Sequence, residues 1–198
     1  MLHNTKMIHL SSSCGFACRS GAGLALLVFS CAITAATVEK HIDPETGLAS
    51  WKATHPDFSL ELIQVLPDYI RATYATRGLP KAEAERIASW CVFGTIVRNT
   101  SDTPLSWNLA DWQYRSADGE PGRPKLKSEW LAEWRQAGIP FKWTLLTDEQ
   151  TFQVGDWSQG FTTYDLQHDE TFDLTWSWTR EGKTSTGTIE GVRCAPDR

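Results

Sequence analysis

Eight residues near the end of this 198-residue chain constrain its fold most. Phe172, Leu174, Trp176 and Trp178 alternate strictly with Asp173, Thr175, Ser177 and Thr179. In an extended strand successive side chains point to opposite faces, so this run lays four large apolar groups on one face and four polar groups on the other. Arg180-Glu-Gly-Lys183 supplies a turn, and Thr184 to Cys194 returns, which predicts a β-hairpin. A sheet face this apolar must be covered by another layer.

The rest of the chain supplies candidates for that layer. Alternation in Phe58 to Val65 and the β-rich run Cys91 to Asn99 predict two strands. Leu105 to Tyr114, Phe141 to Leu146, Gln150 to Val154 and Phe161 to Leu166 predict four more, the first of them bulged. Between the first two, Pro67 opens a helix that Gly78 stops, and Leu79-Pro80 opens a second over Lys81 to Trp90. Residues 67–90 therefore read as a helical hairpin. Ser128 to Gln136 predicts one short inserted helix. Residues 37–56 mix charge, Pro and Gly without a period and read as a flexible N-terminal arm. The expected fold is α+β: a mainly antiparallel β-sandwich over residues 57–198, with an N-terminal helical hairpin and one short inserted helix.

The first 36 residues have a different character. Residues 1–20 hold Lys6 and Arg19 but no acid, and Gly21 to Ala36 is apolar with a small-residue end. A positive segment, an apolar stretch and small residues are the parts of a signal peptide, so 1–36 is expected to be an export leader. Val28-Phe29-Ser30-Cys31 offers a second reading, a lipobox with the lipid on Cys31, although Phe29 is bulky for it. An uncleaved anchor is the third, but the apolar stretch is short for a span. All three place the remaining chain outside the cytoplasm, periplasmic or secreted, with no membrane span once the leader is removed.

Cysteine usage agrees. Cys14, Cys18 and Cys31 lie in the leader, which leaves Cys91 and Cys194. An even pair in an oxidising compartment predicts a disulfide between mid-chain and the last strand. A bridge so placed resembles the inter-sheet disulfide of immunoglobulin-like domains, and the resemblance implies an immunoglobulin-like architecture without implying an activity.

Composition narrows the function. Net charge is −5, and −7 once Lys6 and Arg19 leave with the leader, which argues against nucleic acid and anionic membrane surfaces as partners. Both methionines are in the leader, and only His41, His55 and His168 follow it, so neither a Met-based copper site nor a His-rich metal site is expected. No cofactor motif is present.

All ten tryptophans follow the leader. Trp176 and Trp178 belong to the apolar face of the hairpin, and Trp130 and Trp134, four apart, to the packing face of the inserted helix. Trp157 differs. In Gly155-Asp-Trp-Ser-Gln-Gly160 it stands between glycines, with Asp156 and Gln159 beside it as hydrogen-bonding neighbours. A ring on a loop suits stacking on a sugar or a protein surface. Trp107 and Trp112, with Asn108 and Asp111, form a second, weaker ligand-binding cluster. Asp165, His168, Asp169 and Glu170 crowd one turn and raise the alternative of acid–base hydrolysis, but no nucleophile elbow or zinc motif accompanies them. Asn99-Thr-Ser101 is a glycosylation sequon, expected to be unmodified. The expected function is an exported, non-catalytic module that binds an envelope protein or glycan through the Trp157 loop. A carboxylate–His168 hydrolase and a lipoprotein acylated at Cys31 are the alternatives.

Overall fold

A computed structural model describes residues 36–198, except 118, 120 and 143. The leader and Cys31 lie outside the described residues. The described chain is mostly antiparallel β, arranged as two sheets with three helices.

The first sheet has the strand order β1 (Thr37–Ile42), β2 (Ala49–Thr54), β3 (Phe58–Gln64), β4 (Cys91–Asn99) and β9 (Trp157–Tyr164). The second is built on the predicted hairpin, β10 (Thr171–Arg180) with β11 (Lys183–Arg193). Along its other edge β10 pairs first with β6 (Gln113–Ser116) and then with β5 (Leu105–Asn108). β7 (Pro121–Gly122) and β8 (Glu149–Phe152) finish that side.

The apolar faces of the two sheets meet. Phe58, Leu60, Leu62 and Phe93 from the first interdigitate with Phe172, Leu174, Trp176 and Trp178 from the second, all buried. Phe58 stacks on Trp178 at 5.4 Å and 9°. The indole N–H groups of Trp107, Trp112, Trp176 and Trp178 are buried without a hydrogen-bond partner. Each such orphan costs about 1–3 kcal/mol. Burying a tryptophan removes about 150–250 Å² from water, worth roughly 4–6 kcal/mol at ~25 cal/mol/Å², so burial wins. The predicted disulfide is present: Cys91 opens β4, Cys194 follows β11, and their Cα atoms lie 5.3 Å apart. It ties one sheet to the other inside the shared core.

The strand order departs from the ABED and CFG sheets of immunoglobulin domains, because β1 to β4 run as a simple meander. The likeness therefore extends to two sheets joined by a disulfide and not to connectivity.

A second, smaller core lies on the outer side of the first sheet. Helices α1 (Pro67–Thr76), α2 (Lys81–Ala88) and α3 (Lys127–Gln136) cover one end of that face. Ile70 and Tyr74 of α1, Ile87 of α2, and Trp130 and Trp134 of α3 close over Val92. Both indoles find partners here, since Trp130 donates to Thr163 Oγ1 and Trp134 to the Glu83 carboxylate, each at 3.0 Å.

Three expectations need correction. Residues 37–56 are no loose arm. They form β1 and β2, and Trp51 fills the sandwich core, because Ala49, Trp51 and Ala53 alternate with Ser50, Lys52 and Thr54. Leu105 to Tyr114 is not one bulged strand. The Asn108 side chain accepts the Ala110 N–H at 2.9 Å and turns the chain through a short 3-10 segment, Leu109–Asp111, between β5 and β6. The described residues of Phe141 to Leu146 do not form a strand either: among them Leu145 makes an isolated bridge to Phe161, at the edge of β9.

Candidate binding face

The half of the first sheet's outer face that the helices leave uncovered can be read from strand register. Three rows of side chains cross β2, β3, β4 and β9 in turn: Thr54, Ser59, Arg98, Trp157; then Lys52, Glu61, Ile96, Gln159; then Ser50, Ile63, Gly94, Phe161. Residues of a row are neighbours about 4.8 Å apart, and rows lie about 6.7 Å apart. The third row ends against α1. Tyr69 and Thr73 of α1 and Arg77 at its C-cap are spaced by four, so they share a side of the helix about 100° round from the buried Ile70 and Tyr74, and they wall a hollow of about 400 Å³ floored by Ile63, Gly94 and Ile96. A second hollow, about 280 Å³, adjoins it through Ile96 and is lined by Lys52, Glu61 and Arg98.

Trp157 stands at the outer end of this face and is 49% exposed. It does not sit on a loop, as its glycine neighbours imply, but is the first residue of β9, opposite Arg98. The chain reverses just before it. Gly155 takes a positive φ, and the Asp156 carboxylate accepts the Gln153 N–H at 2.7 Å. Asp156 thereby forms the turn, and its carbonyl also accepts the Asn99 N–H. The Arg98 guanidinium lies over the Trp157 ring at 5.0 Å, which holds the indole in place on the sheet. Gln159, in the next row, lines the larger hollow. Tyr69, 60% exposed, is the other large ring there.

The remaining expected site residues lie elsewhere. Trp112 is fully buried and Trp107 nearly so, 6.1 Å apart in the sandwich core, so neither presents its ring to a ligand. Their polar companions Asn108 and Asp111 line a hollow of about 540 Å³ on the outer face of the second sheet, beside Glu149, Ser177 and Thr179. That hollow holds two carboxylates and no cation, and Asn108 already donates to Glu149 at 3.2 Å.

The acidic turn does not assemble. Asp169 pairs with Arg193 at 3.0 Å, His168 lies 3.9 Å from Asp197, and Glu170 accepts the Gln167 N–H. Asp165 and Glu170 line a separate small hollow to which His168 does not contribute. No group of three or more His, Cys, Asp or Glu among the described residues is arranged to hold a metal. Asn99 of the sequon is buried. Its amide donates to the carbonyls of Thr103 and Gln153 and accepts from Ser101, which makes it a structural hub.

Sequence reasoning missed Tyr69, Arg77, Arg98, Lys52 and the Gly94 floor. The spacing of 69, 73 and 77 and the alternation of 94, 96 and 98 were available signals, but which side of each element stays uncovered is a tertiary fact.

Fold and face together define a disulfide-bonded two-sheet protein with a helix-walled groove on the outer side of one sheet. No protein-family model and no curated protein matches the sequence. Among solved structures, one that is similar is the candidate lipoprotein ycdA of Bacillus subtilis subsp. subtilis str. 168. It is 12% identical with a TM-score of 0.35, and the match covers 79% of this chain and 34% of that one. The chain thus spans about a third of that protein's length. No helix among the described residues is long and apolar enough to cross a membrane.

Proposed function

We propose that this protein is an exported, non-catalytic binding module of the cell envelope, and that it contacts a protein or glycan through the outer face of its first sheet. The observation that carries this reading is Trp157, half-exposed and braced by Arg98 at the lip of a groove. A large ring left in solvent at a concave edge is the kind of residue that dominates binding energy. The Cys91–Cys194 bridge supports an oxidising compartment, and the basic-then-apolar leader supports export by cleavage after Ala36.

Two measurements test this. The exported protein should sediment with envelope material of its own host, and Trp157→Ala should weaken that capture by about 30-fold, the equivalent of ~2 kcal/mol for an interface hot spot. Capture indifferent to Trp157 would remove this face from consideration. The intact mass of the native protein separates the attachment modes: a chain beginning at Ala36 or Thr37 is a free module, whereas one beginning at an acylated Cys31 is a tethered lipoprotein.

A further inference from the structure

Charge on this face runs against the charge of the molecule. The chain carries a net −5, yet the two hollows are lined by Lys52, Arg77 and Arg98 against the carboxylate of Glu61, with Glu39 of β1 opposite Lys52 at the rim of the face. Five arginines elsewhere hold carboxylate partners: Arg71, Arg86, Arg123, Arg180 and Arg193. Arg77 and Arg98 have none among the described residues, and neither do Arg115, Arg135 and Arg198, which do not line the two hollows. The Arg98 guanidinium lies over Trp157 at 5.0 Å, and no carboxylate among the described residues takes up its N–H donors, which can fork onto an anion. Arg77 lines the same hollow as Gly94. Arg98 and Gly94 are four residues apart on β4, so the strip of sheet between their two rows is about 13 Å long. The exposed Tyr69 lines the larger hollow, floored by Ile63, Gly94 and Ile96, and the exposed Trp157 stands beside Arg98 in the outermost row of the face.

We infer that the groove binds a carboxylate-bearing sugar chain of the uronate type; this rests on the reading of the Trp157 face as the contact surface. The C–H face of a sugar ring is complementary to the electron-rich face of an indole or phenol, and a ring carboxylate is complementary to a guanidinium fork. An acidic peptide fits the charge but not the floor. A peptide gains affinity from a sheet by pairing its main chain along an open edge. Here the floor is a sheet face whose strands are paired to each other, and beside it Phe161 of β9 is bonded to Thr144 and Leu146. A ligand lying on this floor meets rings and charges rather than open main-chain groups.

Gly94 gives a way to close the groove without damaging the fold. A Cβ there meets nothing nearer than the Ile63 Cβ at 3.7 Å, an ordinary contact, so a longer side chain extends into the open hollow.

The exported protein is titrated by calorimetry with an oligogalacturonate, a neutral oligosaccharide of equal length, and an oligoglutamate of equal charge. Retention of the disulfide and of the melting temperature is checked for each variant. The uronate should bind at least tenfold tighter than either other probe, and raising salt should weaken it. Arg98→Gln and Arg77→Gln should each weaken it at least tenfold, and Gly94→Leu should abolish binding with the fold intact. Equal binding of the neutral sugar would overturn the role of the arginines. Equal or tighter binding of oligoglutamate would replace the sugar with an acidic protein partner. If no probe binds while envelope capture still depends on Trp157, the uronate assignment falls and the binding module stands. If capture ignores Trp157, the face itself falls.

Discussion

Gly187 sits directly opposite Trp176 in the β10–β11 ladder, and a methyl group added there tests how tightly the sandwich core is determined. A Cβ at Gly187 would lie 2.2 Å from Cζ2, 2.6 Å from Cη2 and 2.7 Å from Cε2 of Trp176. These are overlaps with a rigid ring that is fully buried, so the ring has nowhere to swing. Two effects oppose each other in Gly187→Ala. Removing a glycine from a strand reduces the entropy of the unfolded chain and stabilises by about 0.5–1 kcal/mol. Overpacking a closed core destabilises by about 1–3 kcal/mol, and overlaps this deep belong at the upper end. The net expectation is a loss of ~2 kcal/mol. Trp176→Leu alone should destabilise by about 2–4 kcal/mol through the cavity it leaves. In that background Gly187→Ala should become neutral or stabilising, because the obstructing ring is gone. The coupling between the two sites should therefore be about 2–3 kcal/mol, as expected for residues in direct contact. Urea denaturation followed by far-ultraviolet circular dichroism measures all four corners of the cycle, and the slope of each transition shows whether the unfolded state has changed. Gly187→Ala that is neutral in the parent, or that has the same effect in both backgrounds, would refute the account of the glycine.

Two further outcomes follow from the bonds of the structure. Replacing Cys91 and Cys194 together by Ala opens a loop with a sequence separation of 103; chain entropy predicts a loss of about 4–5 kcal/mol, and calorimetry should show a melting temperature lower by roughly 10–20 °C, with a drop under about 5 °C contradicting the estimate. At the start of α3, hydrogen bonds from Arg123 hold the Glu129 carboxyl down at about 2, and the Leu126 N–H adds to this. Because the folded pKa is below the unfolded one, this contribution is complete above about pH 4.5 and is lost as pH falls from there through about 2. Glu129→Gln should be less stable than the parent at neutral pH and show a shallower fall in stability over that acid window, measured by urea titration at several pH values. Equal acid slopes for parent and variant would exclude Glu129 as the titrating group.

Much of this protein could be read without coordinates. Strict alternation determined β10 and its buried Trp176 and Trp178, because a period of two leaves a residue only one face to choose. Pro67 and Gly78 bounded α1 because their backbone limits are local. Counting cysteines outside the expected leader paired Cys91 with Cys194, since two thiols admit only one bridge. The candidate binding face was only partly legible. Trp157 was singled out for its company, but its flanking glycines pointed to a loop when Gly155 in fact serves the turn that begins β9. Trp112 and Trp107 carried the same polar company and proved to be core, because sequence records which residues alternate and not which of two faces a second layer covers. Arg98, Gly94 and Tyr69 came together as a candidate site only because α1 stops short of the sheet's far rows. Local periodicity is a property of neighbouring residues and is written in their order. A groove is the space between elements distant along the chain, and only their packing determines where that space remains open.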